Sequence, residues 1–311
     1  MKNEKIVIGA NTKYPLKGLL TLPDQVHVPV PAVVFVHGSG SSNMDEKVGK
    51  LTPFRDLAEG LAAHGIASVR YDKRSFAHGF KMLTDRNLTI TVKEETVDDA
   101  VAAAALLRKD PRIDPDKVFI IGHSMGAMLA PRIDEEGGNF KGLILLAGTP
   151  RKLEEVLIEQ TEEALASLKG FARKIGQKQA DKLKETFTGL YEMSDEEAMK
   201  KKMGGGTTLY YFKEMGERPV SGYLAKLQKP MLIAQGEKDF QVKADRDFLI
   251  YQELLKEKEN VTFRLYENLN HCFVPSVYGS IAKAKQEYSV EQHIGENVIA
   301  DIARWIWEVS G

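Results

Sequence analysis

The chain lacks most of the features that would commit it to a special environment. It has a single cysteine, Cys272, in 311 residues, so no disulfide can form within it and a reducing compartment is expected. Its 43 Lys and Arg nearly balance 44 Asp and Glu, and a net charge of −1 leaves no electrostatic footprint for nucleic acid or an anionic membrane. No apolar run approaches the ~18–20 residues of a membrane span. The first residues, Met1-Lys2-Asn3-Glu4-Lys5, lack the apolar core of a secretory signal, so a cytoplasmic chain is the expectation. Internal repeats and low-complexity tracts are absent. No His, Cys, Asp or Glu cluster has metal-ligand spacing, so no metal and no other cofactor are expected. What remains is an ordinary globular composition in a chain long enough to bury a large core without staples.

The apolar runs that are present are short and regularly spaced. Residues 5–9 and 16–22 read as an antiparallel strand pair. Residues 32–36, 67–71, 118–121, 142–147, 230–234 and 261–266 read as further strands, and 32–36, 118–121 and 142–147 are the unbroken apolar runs of strands buried on both faces of a sheet. Helical periodicity near 52–63, 94–108, 243–256 and 295–308 separates them, which predicts a mostly parallel sheet with helices on both faces. The rhythm breaks at 151–225, where no strand signal occurs. Leu153, Val156, Leu157, Leu165 and Leu168 mark one amphipathic helix, and Phe171 to Leu190 a second. Ser194 and Glu197 form a capping box for a third, ended at Gly204-Gly205-Gly206, and Thr207 begins a fourth. The expected organisation is a sheet domain of residues 1–150 and 226–311, with 151–225 inserted as a helical cap.

One stretch stands out chemically. Val118-Phe119-Ile120-Ile121 runs into Gly122-His123-Ser124-Met125-Gly126, followed by the helical Ala127-Met128-Leu129-Ala130. This is G-x-S-x-G in the strand–turn–helix setting of a nucleophile elbow, where glycines leave room for so sharp a turn. A serine hydroxyl needs a base, a carboxylate to orient the base, and donors for the oxyanion. His271, between the last strand and the last helix, is the expected base. Asp239, after the 230–234 strand, is the expected acid, with Glu237 as its competitor. His37-Gly38-Ser39-Gly40 follows the first central strand, and the backbone N–H groups of Ser39 and Met125 are the expected oxyanion donors. A phosphate-cradling reading of that loop fails because the G-x-G-x-x-G and Walker patterns are absent. His37, Gly38, Tyr210, Tyr211, Phe212 and Met215 are expected at the substrate-binding surface, and Asp72 and Arg74 are expected to pair and pin the 72–79 loop.

Together His37-Gly38-Ser39-Gly40, Tyr71-Asp72-Lys73-Arg74, Gly122-His123-Ser124-Met125-Gly126, Gly236-x-x-Asp239 and His271-x-Phe273 resemble the α/β-hydrolase superfamily. Within it the chain is similar to bacterial carboxylesterases near the cinnamoyl/feruloyl esterases and acylaminoacyl-peptidase-like hydrolases. The resemblance implies the α/β-hydrolase fold, a Ser124–His271–Asp239 triad and hydrolysis of a small-molecule ester through an acyl-enzyme, without cofactor. A thioesterase or an aminoacyl-peptidase/amidase would use the same residues, and a non-catalytic binding protein is the reading from another class. A homodimer is left open. Two departures are visible: Arg74 is followed by Ser75-Phe76-Ala77-His78-Gly79 where many relatives read Gly-x-Gly-x-Ser, and the cap differs in length and sequence.

Overall fold

The computed structural model describes residues 1–203 and 206–311. Eight strands form one sheet: β1 (Lys2–Ile8), β2 (Leu16–Leu22), β3 (Val30–Val36), β4 (Ala67–Tyr71), β5 (Ile113–His123), β6 (Leu143–Leu146), β7 (Met231–Gly236) and β8 (Val261–Tyr266). Their spatial order is β1-β2-β4-β3-β5-β6-β7-β8. The β1–β2 and β2–β4 pairs are antiparallel, and every pair from β4 to β8 is parallel. Successive side chains of a strand face opposite sides, so each central strand feeds two cores. Val34, Val36, Ile120, Leu143, Leu145 and Ile233 face one side, against α3 (Asp98–Leu107) and α4 (Met125–Ile133). Val33, Phe35, Ile121, Ile144, Leu146 and Leu232 face the other, against α1 (Pro53–Ala63) and the C-terminal helix Glu296–Ser310. This is the α/β-hydrolase arrangement, a mostly parallel sheet with helices on both faces.

The expected strand at 118–121 is the end of a longer one. Asp114-Pro115 lies inside β5, where the register against β3 shifts between Val30 and Ala32. An irregularity of that kind is where a strand tolerates a proline that cannot donate to the ladder. Residues 72–79 depart further, because most of them belong to α2 (Arg74–Thr84), which is broken at His78. Only Met82 of this helix is buried, while Phe76, Phe80 and Leu83 are exposed. A glycine, a break and an outward apolar face conceal its period. The expected Asp72–Arg74 pair does not form. Arg74 forks onto Asp99, with Nε donating to Oδ2 at 2.9 Å, and Asp72 accepts the Met44 N–H at 2.9 Å. The turn into α2 sends the two side chains in different directions. The expected helices at 94–108 and 243–256 each begin with a π-helical turn, at Lys93–Val97 and Ala244–Phe248.

Between β6 and β7 lie α5 (Leu153–Ala166), α6 (Gly170–Phe187), α7 (Asp195–Lys200), α8 (Leu209–Gly216) and α9 (Val220–Lys226). The Ser194 hydroxyl accepts the Glu197 N–H at 3.3 Å while the Glu197 carboxylate accepts the Ser194 N–H at 2.9 Å, so α7 starts at a reciprocal capping box. Of the glycines expected to end that helix, Gly204 and Gly205 lie outside the described residues. After β7 come α10 (Leu249–Leu254), the short α11 (Ala284–Glu287) and α12 (Glu296–Ser310).

The inserted helices are tied to the sheet domain by buried charge as well as apolar contact. Arg132 of α4 donates from Nη1 and Nη2 to the two carboxylate oxygens of Glu214 on α8, at 3.0 and 2.7 Å. Both side chains are buried. Removing one partner of such a pair strands the other charge, whereas removing both is often close to neutral. Arg218 also stands 2.9 Å from Glu214 and remains its partner, so Arg132→Met should lower unfolding free energy by about 1–3 kcal/mol, and Arg132→Met combined with Glu214→Gln should return to within about 1 kcal/mol of the parent. Denaturant unfolding curves for the two variants measure this, and equal losses in both would refute it.

Candidate active site

Ser124 sits between the last residue of β5 and the first turn of α4, with φ 54° and ψ −118°. A non-glycine residue at positive φ is held there only by its surroundings. Its N–H donates to Leu146 O at 2.8 Å. A Cβ at Gly122 would lie 2.2 Å from Gly126 O, and one at Gly126 would lie 2.1 Å from Val36 O. Only glycine fits at either place, so strand and helix close tightly around the serine and lift its hydroxyl out at the end of the sheet. The first N–H groups of α4 point the same way, toward negative charge.

His271 and Asp239 meet although 32 positions separate them in sequence: His271 Nδ1 and Asp239 Oδ2 are 2.7 Å apart, and the His271 ring packs on His123, the residue before Ser124. The Asp239 side chain is fully buried and held from several directions. Gln235 Nε2 donates to Oδ2 at 2.6 Å, and the N–H groups of Gln241 and Val242 donate to Oδ1 at 2.8 and 3.0 Å. This is a carboxylate with its orientation fully determined. Glu237, the competing acid, is exposed and accepts the Asn268 N–H at 3.1 Å, away from His271. The loop bearing His271 is fixed in turn by Asn270, whose Nδ2 donates to the buried Glu287 at 2.9 Å.

Two buried residues that carried no signal in the sequence connect this loop to the His37-Gly38-Ser39-Gly40 turn. Glu46 accepts the Gly38 N–H at 2.7 Å and lies 3.0 Å from His123 Nδ1. His123 Nε2 is 2.8 Å from the carbonyl oxygen of His271, and the two imidazoles pack with centroids 4.7 Å apart. Burial pushes the His123 imidazole down, but the Glu46 carboxylate and the hydrogen bond to His271 outweigh it and leave its pKa above the ordinary value. Burial likewise pushes Glu46 up, and His123 overrides it and holds Glu46 below the usual carboxylate range. The Glu46–His123 pair thereby links the Gly38 turn to the loop that carries His271. A Cβ on Gly38 would be 3.2 Å from that of Ser124, which measures how closely the turn approaches the serine. Neither the Ser39 nor the Met125 N–H has an acceptor among the described residues.

The expected substrate-facing residues divide. Tyr211 and Phe212 line a cavity of about 420 Å³ with Ser39, Met125 and Leu157, and most of its wall is apolar. Met215 instead faces a small cleft near Arg132 and Pro219, and Tyr210 is half-buried against the core on the other side of α8. An eight-residue helix turns adjacent side chains about 100° apart, so one aromatic run cannot all face one cavity. His37 is also displaced from its expected role. It is buried against Phe54 and Tyr71, its Nε2 is 2.9 Å from Asn43 O, and burial lowers its pKa to about 4. It is a neutral structural imidazole. A narrow crevice holds Ser124 itself, with Ser39, Thr149, Gln160 and Gln241. A cavity of about 850 Å³ runs past Asp239 along Lys238, Lys243 and Phe263 but does not include Ser124 in its lining. Among the described residues no group of three or more His, Cys, Asp or Glu side chains could hold a metal ion, and no helix is long and apolar enough to cross a membrane.

The chain is similar to known proteins in sequence and in fold. The chain is 33% identical to the esterase EstD of Thermotoga maritima over 291 residues, which cover 94% of this chain and 65% of that relative's length. Among solved structures, Est1E of Butyrivibrio proteoclasticus with ferulic acid bound superposes with a TM-score of 0.59 at 16% identity, covering 97% of this chain and 98% of that one. The Pyrococcus furiosus esterase Pf2001 gives 0.59 at 15% identity, with 100% and 92% coverage. At such identities the structures show the fold. The family described as Hydrolase_4, serine aminopeptidase S33, matches residues 28–274, and the chain belongs to this family of α/β hydrolases.

Proposed function

We propose that the protein is a serine hydrolase that cleaves carboxylic esters through an acyl-enzyme. The observation that carries this reading is the buried Asp239–His271 hydrogen bond, whose imidazole packs on His123 in the turn that holds Ser124 at positive φ. His271 takes the Ser124 proton as the hydroxyl oxygen attacks the ester carbonyl. The N–H groups of Ser39 and Met125 receive the oxyanion, and His271 then protonates the departing alcohol. Water, activated by the same histidine, releases the acid and restores the serine. Asp239 keeps Nδ1 protonated so that Nε2 faces the serine, and it stabilises the imidazolium as it forms. The name of the EstD relative supports an ester over a thioester or an amide. The single buried cysteine supports a cytoplasmic location.

The helices of 151–225 act, on this reading, as a cap over the carboxyl ends of the strands. Support comes from Leu153 and Leu157 on α5 and from Tyr211 and Phe212 on α8, which share one cavity with Ser39 and Met125. An apolar pocket of this size suits an apolar or aromatic part of the ester, with water kept out of the reacting centre.

A fluorophosphonate probe should label Ser124, and Ser124→Ala should abolish labelling and reduce kcat by several orders of magnitude. Labelling that survives in Ser124→Ala sinks the assignment of the nucleophile. Asp239→Asn should lower kcat by up to about 10⁴-fold by changing the histidine tautomer, whereas Glu237→Gln should stay within about twofold of the parent. Kinetics of the purified variants on an aryl ester decide this, and the reverse order would assign the wrong carboxylate here. Phe212→Ala should reduce kcat/KM for esters of bulky apolar acids by about tenfold or more relative to acetyl esters. An unchanged ranking across the panel would place the binding pocket elsewhere.

A further inference from the structure

We propose that Lys73 is a positioning residue for ester hydrolysis: its buried ammonium holds the Gly38–Gly40 backbone so that the Ser39 N–H faces the oxyanion. The inference rests on the serine-hydrolase reading above and extends it to a residue with no side-chain contact to Ser124.

Lys73 lies between β4 and α2, with its side chain 2% exposed. Lysines are almost never buried so deeply unless every donor is engaged. Here Nζ donates to Gly38 O at 2.9 Å and to Gly40 O at 3.0 Å, and stands 3.5 Å from Glu95 Oε2. An ammonium has three N–H donors, and these are its three partners. Its two shorter contacts are to the carbonyls on either side of Ser39, so neutralising Glu95 is the lesser part of its role.

The consequence for Ser39 follows from peptide geometry. In a planar trans peptide the C=O of Gly38 and the N–H of Ser39 point in opposite directions. Drawing the Gly38 oxygen toward Lys73 therefore turns the Ser39 N–H away from it. That N–H has no acceptor among the described residues, and Ser39 lines both the crevice holding Ser124 and the apolar cavity. The loop needs such a clamp because Gly38-Ser39-Gly40-Ser41-Ser42 is intrinsically loose, and Gly40 sits at φ +82° with open space around it. Glu46 fixes the N–H side of Gly38, Lys73 fixes its C=O side, and the backbone N–H of Lys73 holds Ser42 O at 3.0 Å. Glu95 balances the lysine charge and accepts the Tyr211 hydroxyl at 2.7 Å.

Lys73→Met alone strands the Glu95 charge and is prone to misfold. The test variant therefore combines Lys73→Met with Glu95→Gln in the full chain, and the Arg132→Met with Glu214→Gln variant serves as a control that removes an equally buried ion pair. Folding is checked by circular dichroism and thermal unfolding. Kinetics on a p-nitrophenyl ester are measured beside affinity for an alkyl trifluoromethyl ketone, which adds the serine oxygen to give a tetrahedral oxyanion, and for the corresponding carbinol, which cannot. The Lys73 variant should lose about 10- to 100-fold in kcat, approaching the loss of an oxyanion donor. Ketone affinity should fall by the same factor, with KM and carbinol affinity within about twofold. The control should keep both kcat and ketone affinity. A folded Lys73 variant with parental kcat and ketone affinity overturns the proposal, as does a loss confined to KM in which ketone and carbinol weaken alike. If the parent turns over no ester, the proposed reaction falls, and the ketone-to-carbinol ratio still decides the role of Lys73.

Discussion

Everything in the molecule's chemistry depends on a backbone turn that only crowding can maintain. Ser124 at φ 54° and ψ −118° is unfavourable for any side-chain-bearing residue. It persists because β5 is buried on both faces, because the Ser124 N–H is anchored on β6, and because Gly122 and Gly126 let α4 pack onto the sheet at distances no Cβ would allow. The cost of the strain is spread through a large core rather than met locally. The fold's size thus bears on its chemistry: a small domain could not over-determine a turn of this kind.

The second organising feature is the treatment of buried charge. Asp239 with His271, Glu46 with His123 and Glu95 with Lys73 place three acid–base pairs within the shell around Ser124. Each member is buried, and all but the His271 imidazole have at least one further side-chain hydrogen bond that fixes their direction, His271 being held through its backbone carbonyl. Buried pairs of this sort add little net stability because desolvation offsets most of the attraction. Their value lies in direction. Inside a low-dielectric shell a carboxylate or ammonium with determined partners holds a loop in one arrangement, which an apolar contact does less specifically.

Much of the architecture was legible in the sequence because it is written in periodicity. β4 and β8 match their apolar runs residue for residue, and the capping box at Ser194 and Glu197 announces α7. The Ser124, Asp239 and His271 candidates were legible because each follows a strand with a recognisable pattern. Other residues left no such trace. Glu46 and Lys73 act through backbone atoms far away in sequence, so no spacing betrays them. Arg74 pairs with Asp99 rather than Asp72 because tertiary approach, not adjacency, selects the partner. The aromatic run at 210–212 was read as one surface, but helical rotation sends Tyr210 away from the cavity that Tyr211 and Phe212 share. α2 was missed because its apolar side chains face outward, which inverts the pattern that sequence reading relies on.

The inserted helices are attached in a way that bears on how a substrate could reach the serine. α8 is tied to α4 through Arg132 and Glu214, and to the turn before α3 through Tyr211 and Glu95. Swinging α8 away as a rigid lid would break both links at once and expose charges placed to face each other. Another wall of the cavity is α2, through Ser75, Gly79, Met82 and Leu83; of this helix Met82 alone is buried, and Leu83 is exposed. Arg74 at the start of α2 is held by its fork onto Asp99, but few buried contacts and a break at His78 make the part of the helix beyond that break the less costly element to displace. On the proposed reading, the face between α2 and α8 is therefore the natural route to Ser124. The outward apolar side chains that obscured α2 in the sequence would line the approach of an apolar ester, while the charge-locked helix α8 stays fixed.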